Sequence, residues 1–503
     1  VTNSGGVWTV SASNNYAGNT VISGGRYHIA SPLSLGTQPG AWTPDRVLLA
    51  GGALGVTNDV NVALNDGRIG ITLAALEGQL AVNGGATLTV SNEISGTGNL
   101  AKWLPGLLIL NGSNSFSGEF YTDANSTSAN DGTTRLTRAD ALQNVTAIGM
   151  RNNNAGFSTL QLDGSAGNLT LPQPMTLSCR NNTNLCLQNL AGSNVLSGGI
   201  SIQVGGADQW WQSDSGTLVY AGDINYAGAL TGGRNYHFQG AGNHLVTGNI
   251  NASPLGSPIA ITKDGTGTLT LTGANTYGTT TAITNGTLLL TGSISHTGAV
   301  TVVGGTLAGN GSITAEAVNV LAGGTLSPGT SIGTLTVNGN LSLAGTTRVE
   351  LNKTATTSDL VTGINVASYG GTLVVTNESG TLVIGNTFQL FNAAFTGGNF
   401  SSIVNQTGQS GIGFTFNPAT GVLSVVAGVP NTPTNITTSV TGNTLTLSWP
   451  ANYLGVILQT QTNSLSVGVN ANWSDVPGSS GVTSMNVPIN PANPTVFFRL
   501  RHP

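Results

Sequence analysis

Charged side chains gather most closely in one polar segment of this chain. They are Glu119, Asp123, Asp131 and Asp140 together with Arg135 and Arg138. Paired carboxylates would suit general acid–base cleavage of a glycoside, and acidic ligands beside a basic residue would suit calcium-assisted elimination. However, the chain has no Asp-Asp pair and no Arg-x-Lys, and most of its 19 acidic residues stand alone. The segment therefore favours a solvated loop over a catalytic pocket, and we expect no enzyme.

Histidines offer no better candidate for chemistry. Of the five in the chain, only His237 and His244 are close in sequence, and neither has a neighbour of the kind that binds a metal. Gly205-Gly206-Ala207-Asp208 weakly resembles a calcium-binding turn, but it does not recur along the chain. We therefore predict no metal site and no cofactor.

The two cysteines, Cys179 and Cys186, lie seven residues apart in a polar stretch. In an exported protein this spacing favours a disulfide that closes a loop, and two unpaired thiols in the core are the alternative. A zinc site would need more ligands, and no histidine is near.

The composition excludes several classes of protein. Only 7% of the residues are charged, the net charge is −5, and no Lys/Arg cluster is present to meet phosphates. We therefore expect no nucleic acid partner. No apolar run approaches the length of about 20 residues that spans a bilayer, so no membrane span is expected. The sequence opens at Val1 rather than Met, which favours a processed, exported protein.

A short repeat indicates the architecture. The tripeptide Gly-Thr-Leu occurs at 267–269, 286–288, 305–307 and 324–326, a spacing of 19 residues three times in succession. Polarity alternates within each copy, which is typical of strands, and Gly-Gly, Asn-Gly and Ala-Gly pairs separate the copies, which is typical of turns. A unit of this size buries its apolar face only by stacking on its neighbours. The repeat therefore predicts a β-solenoid.

The same pattern occurs near the N-terminus. Residues 6–29 align without gaps on residues 267–290, and residues 106–118 form a third copy. The shared pattern is Gly-x-apolar-x-apolar-x-small-x-Asn-x-aromatic. We expect the Asn to adopt a left-handed corner and the aromatic ring to pack on the next coil.

These motifs resemble those of autotransporter-associated β-strand repeat proteins, above all Gly-Thr-Leu-Thr-Leu-Thr-Gly-Ala-Asn-Thr-Tyr at 267–277 and Leu-Ser-Pro-Gly-Thr-Ser-Ile-Gly-Thr-Leu at 326–335. The resemblance implies a right-handed parallel β-helix on a bacterial surface. It is strong over 265–345, fair over 6–29 and 106–118, and diffuse between them.

The fold class predicted is all-β, with a β-solenoid followed by a small antiparallel β-sandwich. The solenoid covers 1–428, with loop insertions around 119–240, and its last coils and cap lie over 340–427. A linker with two prolines follows at 429–434. Residues 435–503 carry short strands between turns, and the Leu-x-Leu-x-Trp stretch ending at Trp449 resembles a fibronectin type III module. About 20 coils would make a rod of roughly 100 Å.

Aromatic residues are dense between 205 and 240, where Trp210 and Trp211 are adjacent. Insertions in solenoids form loops on one face, and such loops often bind ligands. These rings are candidate contacts for a glycan. The alternative, which we favour, is that they fill irregular coils.

The function predicted is a structural subunit of a secreted bacterial fibre or matrix at the cell surface. Copies of the chain would join head to tail through solenoid ends or by strand addition, and Val7, Trp8, Thr9 and Val10 form the candidate assembly strand. The alternatives are a surface adhesin that binds extracellular glycans and, more remotely, a polysaccharide lyase or hydrolase.

Overall fold

The fold is all-β in the computed structural model of the chain. The structure describes residues 1–122, 132–151, 158–178, 184–203, 208–227, 233–251, 259–429 and 434–502. Helical structure in these ranges is confined to four single turns of 3-10 helix, at Pro32–Leu35, Ala139–Leu142, Ala451–Tyr453 and Ser479–Gly481.

The strands are short and follow one another at close intervals. The first 26 are β1 Thr2–Val10, β2 Thr20–Ile29, β3 Thr43–Leu49, β4 Ala53–Val56, β5 Asn61–Leu64, β6 Ile69–Leu73, β7 Gly78–Val82, β8 Thr87–Val90, β9 Ile94–Gly96, β10 Leu100–Trp103, β11 Leu107–Leu110, β12 Phe120–Thr122, β13 Gly132–Leu136, β14 Ile148–Arg151, β15 Ser158–Asp163, β16 Thr170–Leu171, β17 Met175–Ser178, β18 Leu185–Ala191, β19 Ser193–Leu196, β20 Ile200–Gln203, β21 Gln209–Ser213, β22 Thr217–Tyr220, β23 Ile224–Ala227, β24 Arg234–Gln239, β25 Asn243–Val246 and β26 Ile250–Asn251.

The remaining strands are β27 Ile259–Lys263, β28 Thr268–Leu271, β29 Ala274–Asn275, β30 Thr281–Ile283, β31 Thr287–Leu290, β32 Ser293–Ser295, β33 Val300–Val302, β34 Thr306–Gly309, β35 Ser312–Val320, β36 Thr325–Pro328, β37 Thr334–Leu343, β38 Thr346–Asn352, β39 Thr357–Ser358, β40 Leu360–Tyr369, β41 Thr372–Ser379, β42 Thr387–Gln389, β43 Phe391–Gly398, β44 Ser402–Asn405, β45 Ile412–Asn417, β46 Val422–Ala427, β47 Thr437–Thr441, β48 Thr444–Ser448, β49 Ile457–Thr462, β50 Ser474–Asp475, β51 Ser484–Pro488 and β52 Val496–Arg501.

Three long sheets wind around one core and form a parallel β-solenoid. The first sheet extends from β1 to β26, the second contains strands from β5 to β43, and the third extends from β16 to β44. Their strands pair in parallel with the equivalent strand of the next coil, and the short β39 pairs antiparallel with β38. The predicted solenoid is confirmed.

The 19-residue repeat sets the register of four stacked coils. Thr268 pairs with Thr287, Thr287 with Thr306, and Thr306 with Thr325. The leucine after each threonine is fully buried, whereas each threonine is partly exposed. The alternation of side chains along a strand therefore places one leucine per coil in a continuous interior row.

The coils are longer than the repeat outside this region. Ile148 pairs with Met175, and Thr217 pairs with Asn243, so these coils contain 27 and 26 residues. The solenoid has about 14 turns rather than 20. At about 4.8 Å per coil its length is about 67 Å, and the predicted rod of 100 Å was too long because the insertions lengthen coils without adding to their number.

The corner motif works differently from the prediction. Asn275 is fully buried, its Oδ1 accepts from the Ile250 backbone N–H at 3.0 Å, and its Nδ2 donates to the Ser293 carbonyl at 3.0 Å. The side chain therefore ties three successive coils together. Its backbone is not in the left-handed region; in the described ranges the non-glycine residues with positive φ are Asp59, Leu104 and Thr356.

The aromatic residue of the motif behaves as predicted. Tyr277 is buried against His296 of the next coil, with ring centroids 5.4 Å apart, and its hydroxyl lies 2.6 Å from the Thr281 hydroxyl. Tyr16 and Thr20 form the same hydroxyl contact, at 2.7 Å, in the N-terminal copy. The two copies therefore share a structural role as well as a sequence pattern.

An antiparallel sheet covers the C-terminal end of the solenoid core. It has the order β42-β46-β45, and Phe416 of β45 packs on the rings of Tyr369, Phe391 and Phe400. These rings belong to the same hydrophobic core as the leucine rows. The cap predicted within 340–427 is therefore present.

Two three-stranded antiparallel sheets follow, with the orders β47-β48-β51 and β50-β49-β52. They enclose a separate core of Leu447, Trp449, Tyr453, Val456 and Leu458. A small antiparallel sandwich with Trp449 in its core was predicted; its membership of the fibronectin type III family stays a prediction. Most of the predicted linker, residues 430–433, lies outside the described residues.

Buried cations close several corners of the solenoid. Lys102 and Lys263 are almost fully buried, and each donates from Nζ to the carbonyls of the two residues that follow it. The second of those residues, Leu104 or Gly265, has a φ of 70° in both cases. Burial lowers the pKa of Lys263 to about 8. These lysines replace the missing hydrogen bonds of a sharply turned backbone.

Arg46 is the largest of these buried cations. Its guanidinium donates to five carbonyls, those of Tyr16, Ala17, Gly18, Leu35 and Thr37, and the side chain is 1% exposed. One planar group therefore supports two adjacent stretches of loop backbone.

We expect Arg46→Met to lower the free energy of unfolding by about 3 kcal/mol or more, because it leaves buried carbonyls without donors. Urea unfolding followed by circular dichroism measures the change. Arg68→Met is the matched control, since Arg68 is exposed and makes one hydrogen bond of 3.5 Å to Pro39; we expect a change within about 0.5 kcal/mol. Equal losses in the two variants would contradict this role for Arg46.

Candidate functional site

The candidate assembly strand is the first strand of the solenoid. β1 pairs in parallel with β2, from Thr2 opposite Val21 to Val10 opposite Ile29, and no other strand of the described residues pairs with it. Asn3 is its one buried residue, whereas Val7 is 61% and Trp8 45% exposed. The strand therefore presents apolar side chains and one row of unpaired backbone groups at the N-terminal end of the solenoid.

A second candidate surface is a cleft between the two sheets of the C-terminal sandwich. It has a volume of about 550 Å³. Leu445 and Val487 line it from one sheet, and Val496 and Phe498 line it from the other. All four side chains are only half-buried, although they face the sandwich interior. The interior of the sandwich is therefore open to solvent along this cleft.

The two adjacent tryptophans, predicted as glycan contacts, face opposite ways. Trp211 of β21 has no exposed surface, and its ring packs on Tyr220, Tyr236 and Phe238 at centroid distances between 5.1 and 5.4 Å. It therefore fills the core and has no surface for a glycan, which corrects the expectation for this residue. The cause is the alternation of side chains along β21.

Trp210 points to the outer face, where His237 covers one side of its ring. The two rings stack with centroids 3.6 Å apart and planes 4° apart. His237 also lies between two carboxylates: its Nδ1 is 2.9 Å from Asp264, and its Nε2 is 3.7 Å from Asp208. The sequence did not reveal this group because its members come from three successive coils.

Amide side chains form a ladder on the same sheet. Gln161 donates to Gln188 at 2.9 Å, Gln239 donates to Gln212 at 3.0 Å, and both Gln188 and Gln212 donate to Asp214. Because these amides bond one another, the ladder strengthens the stack of coils rather than offering free groups to a ligand.

The predicted cluster of charges is divided into separate pairs. Glu119 pairs with Arg151 at 3.2 Å, and Asp140 makes a bidentate pair with Arg138, at 2.8 and 2.9 Å. The guanidinium of Arg138 lowers the pKa of Asp140 to about 2. Asp123 and Asp131 lie outside the described residues. The described carboxylates of this segment are therefore engaged by arginines.

Three carboxylates that the sequence analysis did not group meet near the C-terminal end of the solenoid. Asp359 is 1% exposed, and its carboxylate accepts from the backbone N–H groups of Gly333, at 3.0 Å, and Glu350, at 2.8 Å. Burial raises the pKa of Asp359 to about 7, and the charges of Glu350 and Glu378 also raise it. The buried carboxylate holds the turn before β37 against the next coil.

The disulfide stays a prediction, since Cys179 lies outside the described residues. Cys186 is buried at the start of β18, with its Sγ 3.4 Å from Oε1 of Gln209. Within the described ranges, no group of three or more His, Cys, Asp or Glu side chains is arranged to hold a metal ion.

Comparison with known proteins gives a local match. Part of the chain is similar to an autotransporter adhesin. Over 122 residues it is 35% identical to the adhesin BmaC autotransporter of Brucella suis biovar 1 (strain 1330), which corresponds to 23% of this chain and 3% of that protein. The chain thus spans a small fraction of this relative's length. No family model matches the chain.

The match agrees with the parallel β-solenoid described above and with the repeats that resemble autotransporter-associated strands. In the part of the chain that the structure describes, no helix is both long enough and apolar enough to cross a membrane.

Proposed function

We propose that this chain is a structural subunit of an extracellular bacterial fibre or matrix, and that its copies join head to tail. In this proposal β1 of one copy enters the cleft in the C-terminal sandwich of the next. The observation that carries the proposal is the presence of an exposed apolar strand in the first coil and an open apolar cleft beyond the last coil.

The properties of β1 suit a donor strand. Its residues contribute little to the solenoid core, since Asn3 is buried and Val10 is half-buried while the others are exposed. No residue from 1 to 10 carries a side-chain charge. A strand that leaves β2 and pairs with a neighbour exchanges one set of backbone hydrogen bonds for another, and its apolar side chains gain burial.

The properties of the sandwich suit an acceptor. β52 pairs with β49, and β51 pairs with β48; the described residues provide no strand on the other side of either. The cleft between the sheets has room for an aromatic side chain such as that of Trp8. Insertion of a strand would complete the burial of Val487 and Phe498.

The cap favours strand addition over direct stacking of solenoid ends. The sheet of β42, β45 and β46 covers the C-terminal end of the core with Phe416. A second solenoid placed end-on would meet this sheet rather than an open coil.

The test is negative-stain electron microscopy of the purified chain at neutral pH, with variants of both surfaces. We expect filaments from the unmodified chain and single particles from the Val7→Lys/Trp8→Lys variant and from Val487→Lys, because a buried ammonium opposes insertion. Val440→Lys is the matched control. Val440 is 61% exposed, like Val7, and lies on β47 outside the cleft, so this variant should still polymerise.

A mixture separates loss of assembly from loss of folding. The β1 variant retains an intact cleft, and the cleft variant retains an intact β1. Mixed in equal amounts, they should form dimers but nothing longer, as measured by analytical ultracentrifugation. Monomers in the mixture, or filaments from either variant alone, would contradict strand addition.

The second candidate function is a surface adhesin displayed as single rods, which is supported by the similarity to the BmaC adhesin. Single rods from the unmodified chain would favour it over a fibre. For both candidates we propose an extracellular location and no enzymatic activity, and cleavage of a uronate polymer by the purified chain would contradict the latter.

A further inference from the structure

A polar groove lies on the outside of the first coils, away from both surfaces of the proposed assembly. Its volume is about 500 Å³. The residues along it come from equivalent corners of successive coils, before β6, between β8 and β9, between β11 and β12, and around the 3-10 turn Ala139–Leu142. The groove therefore follows the solenoid axis, and its length spans several coil spacings of about 4.8 Å.

Trp42 stands at one end of the groove and is 40% exposed. No ring stacks on Trp42 among the described aromatic pairs, in contrast to Trp210, which His237 covers. An exposed indole presents a broad apolar surface with one hydrogen-bond donor.

The walls carry hydrogen-bonding groups of several types. They include the carboxylate of Glu93, the amides of Asn111 and Gln143, the hydroxyl of Ser113 and the guanidinium of Arg138. Glu93 and Arg138 bring one charge of each sign, and Asp140 balances the charge of Arg138. The lining therefore does not favour a strongly charged ligand of either sign.

Buried asparagines hold the floor of the groove in place. Asn92 is 4% exposed and donates to Asp66 and to the Ile69 carbonyl. Asn114 is 2% exposed, accepts from the Ile94 N–H at 2.9 Å and donates to the Ala141 carbonyl at 2.8 Å. The groove is therefore formed in advance, and binding would order little additional backbone.

We propose that this groove binds a neutral oligosaccharide. A sugar ring has apolar C–H faces that suit the Trp42 ring, and its hydroxyls are donors and acceptors that suit the carboxylate, amide and guanidinium groups of the walls. The lining offers no apolar pocket for the side chains of a peptide, and Arg138 alone would not hold a phosphate backbone.

The test is isothermal titration calorimetry of the purified chain with cellohexaose, maltohexaose, laminarihexaose and chitohexaose, with a hexamer of galacturonate as the charged comparison. We expect binding of at least one neutral hexamer. Trp42→Ala should weaken that binding at least tenfold, and Glu93→Gln severalfold. Trp8→Ala is the matched control, since Trp8 is 45% exposed but lies outside the groove, and it should change binding less than twofold.

Circular dichroism of the Trp42→Ala variant checks that the fold is retained, which we expect for an exposed side chain. The proposal is overturned if no neutral hexamer binds, if the galacturonate hexamer binds more tightly than all of them, or if Trp42→Ala binds as the unmodified chain does. Because Trp42 lies outside β1 and outside the sandwich, these outcomes do not depend on filament formation.

Discussion

Replacing Trp211 with alanine is expected to lower the free energy of unfolding by about 4 kcal/mol, the typical loss for a large buried aromatic side chain. Trp211 has no exposed surface and packs on Tyr220, Tyr236 and Phe238. Its removal leaves a cavity that three rings cannot fill without moving. Urea unfolding followed by circular dichroism measures the loss, and hydrogen exchange shows whether it is centred on coils β18 to β24.

The neighbouring Trp210 provides the matched control. Its ring lies on the outer face and stacks on His237, so Trp210→Ala removes an aromatic contact worth about 1 kcal/mol without opening the core. Trp211→Phe should cost less than Trp211→Ala, because a ring remains and the buried indole N–H, which has no partner among the described residues, is removed. Similar losses for Trp210→Ala and Trp211→Ala would show that Trp211 does not have the core position described.

The second large effect is a fall in stability between pH 4 and pH 7 that depends on Asp359. The ordinary pKa of this group is 3.8, and its pKa in the folded chain is about 7. Between these values the folded state holds a proton that the unfolded state has lost, so the unfolding free energy falls as the pH rises. At about 1.4 kcal/mol per unit, the fall from this group reaches about 4 kcal/mol.

Asp359→Asn should remove most of this slope, because the amide does not titrate. Asp359→Ala should be less stable than the parent chain at pH 5 by about 2–4 kcal/mol, since the N–H groups of Gly333 and Glu350 then lose their acceptor. Asp163→Asn, at an acidic residue on β15 far along the chain, is the control and should keep the slope. A slope unchanged in Asp359→Asn would contradict the assignment, and would point to Glu350, whose pKa is also raised by burial and by Glu378.

The amino-acid sequence by itself determined the solenoid, its repeat and its cap. Alternating polarity fixes which side of a strand is apolar, and small residues fix the corners, so Thr268-Leu269 and its copies specify inward leucines from local information alone. The same reasoning correctly indicated that Tyr277 packs on the next coil and that Trp449 lies in the core of a small C-terminal sandwich. These features depend on residues that are near one another in the chain.

The tertiary structure alone decided the number of coils, the roles of the two tryptophans and the partners of the buried polar groups. In a solenoid each side chain meets its neighbours one coil away, and here that distance varies from 19 residues at Thr268 to 27 at Ile148. The sequence does not state which residues an insertion brings into register. Contacts such as that between Asp359 and Gly333, 26 residues apart, and the groove beside Trp42 therefore emerged only once the coils were stacked.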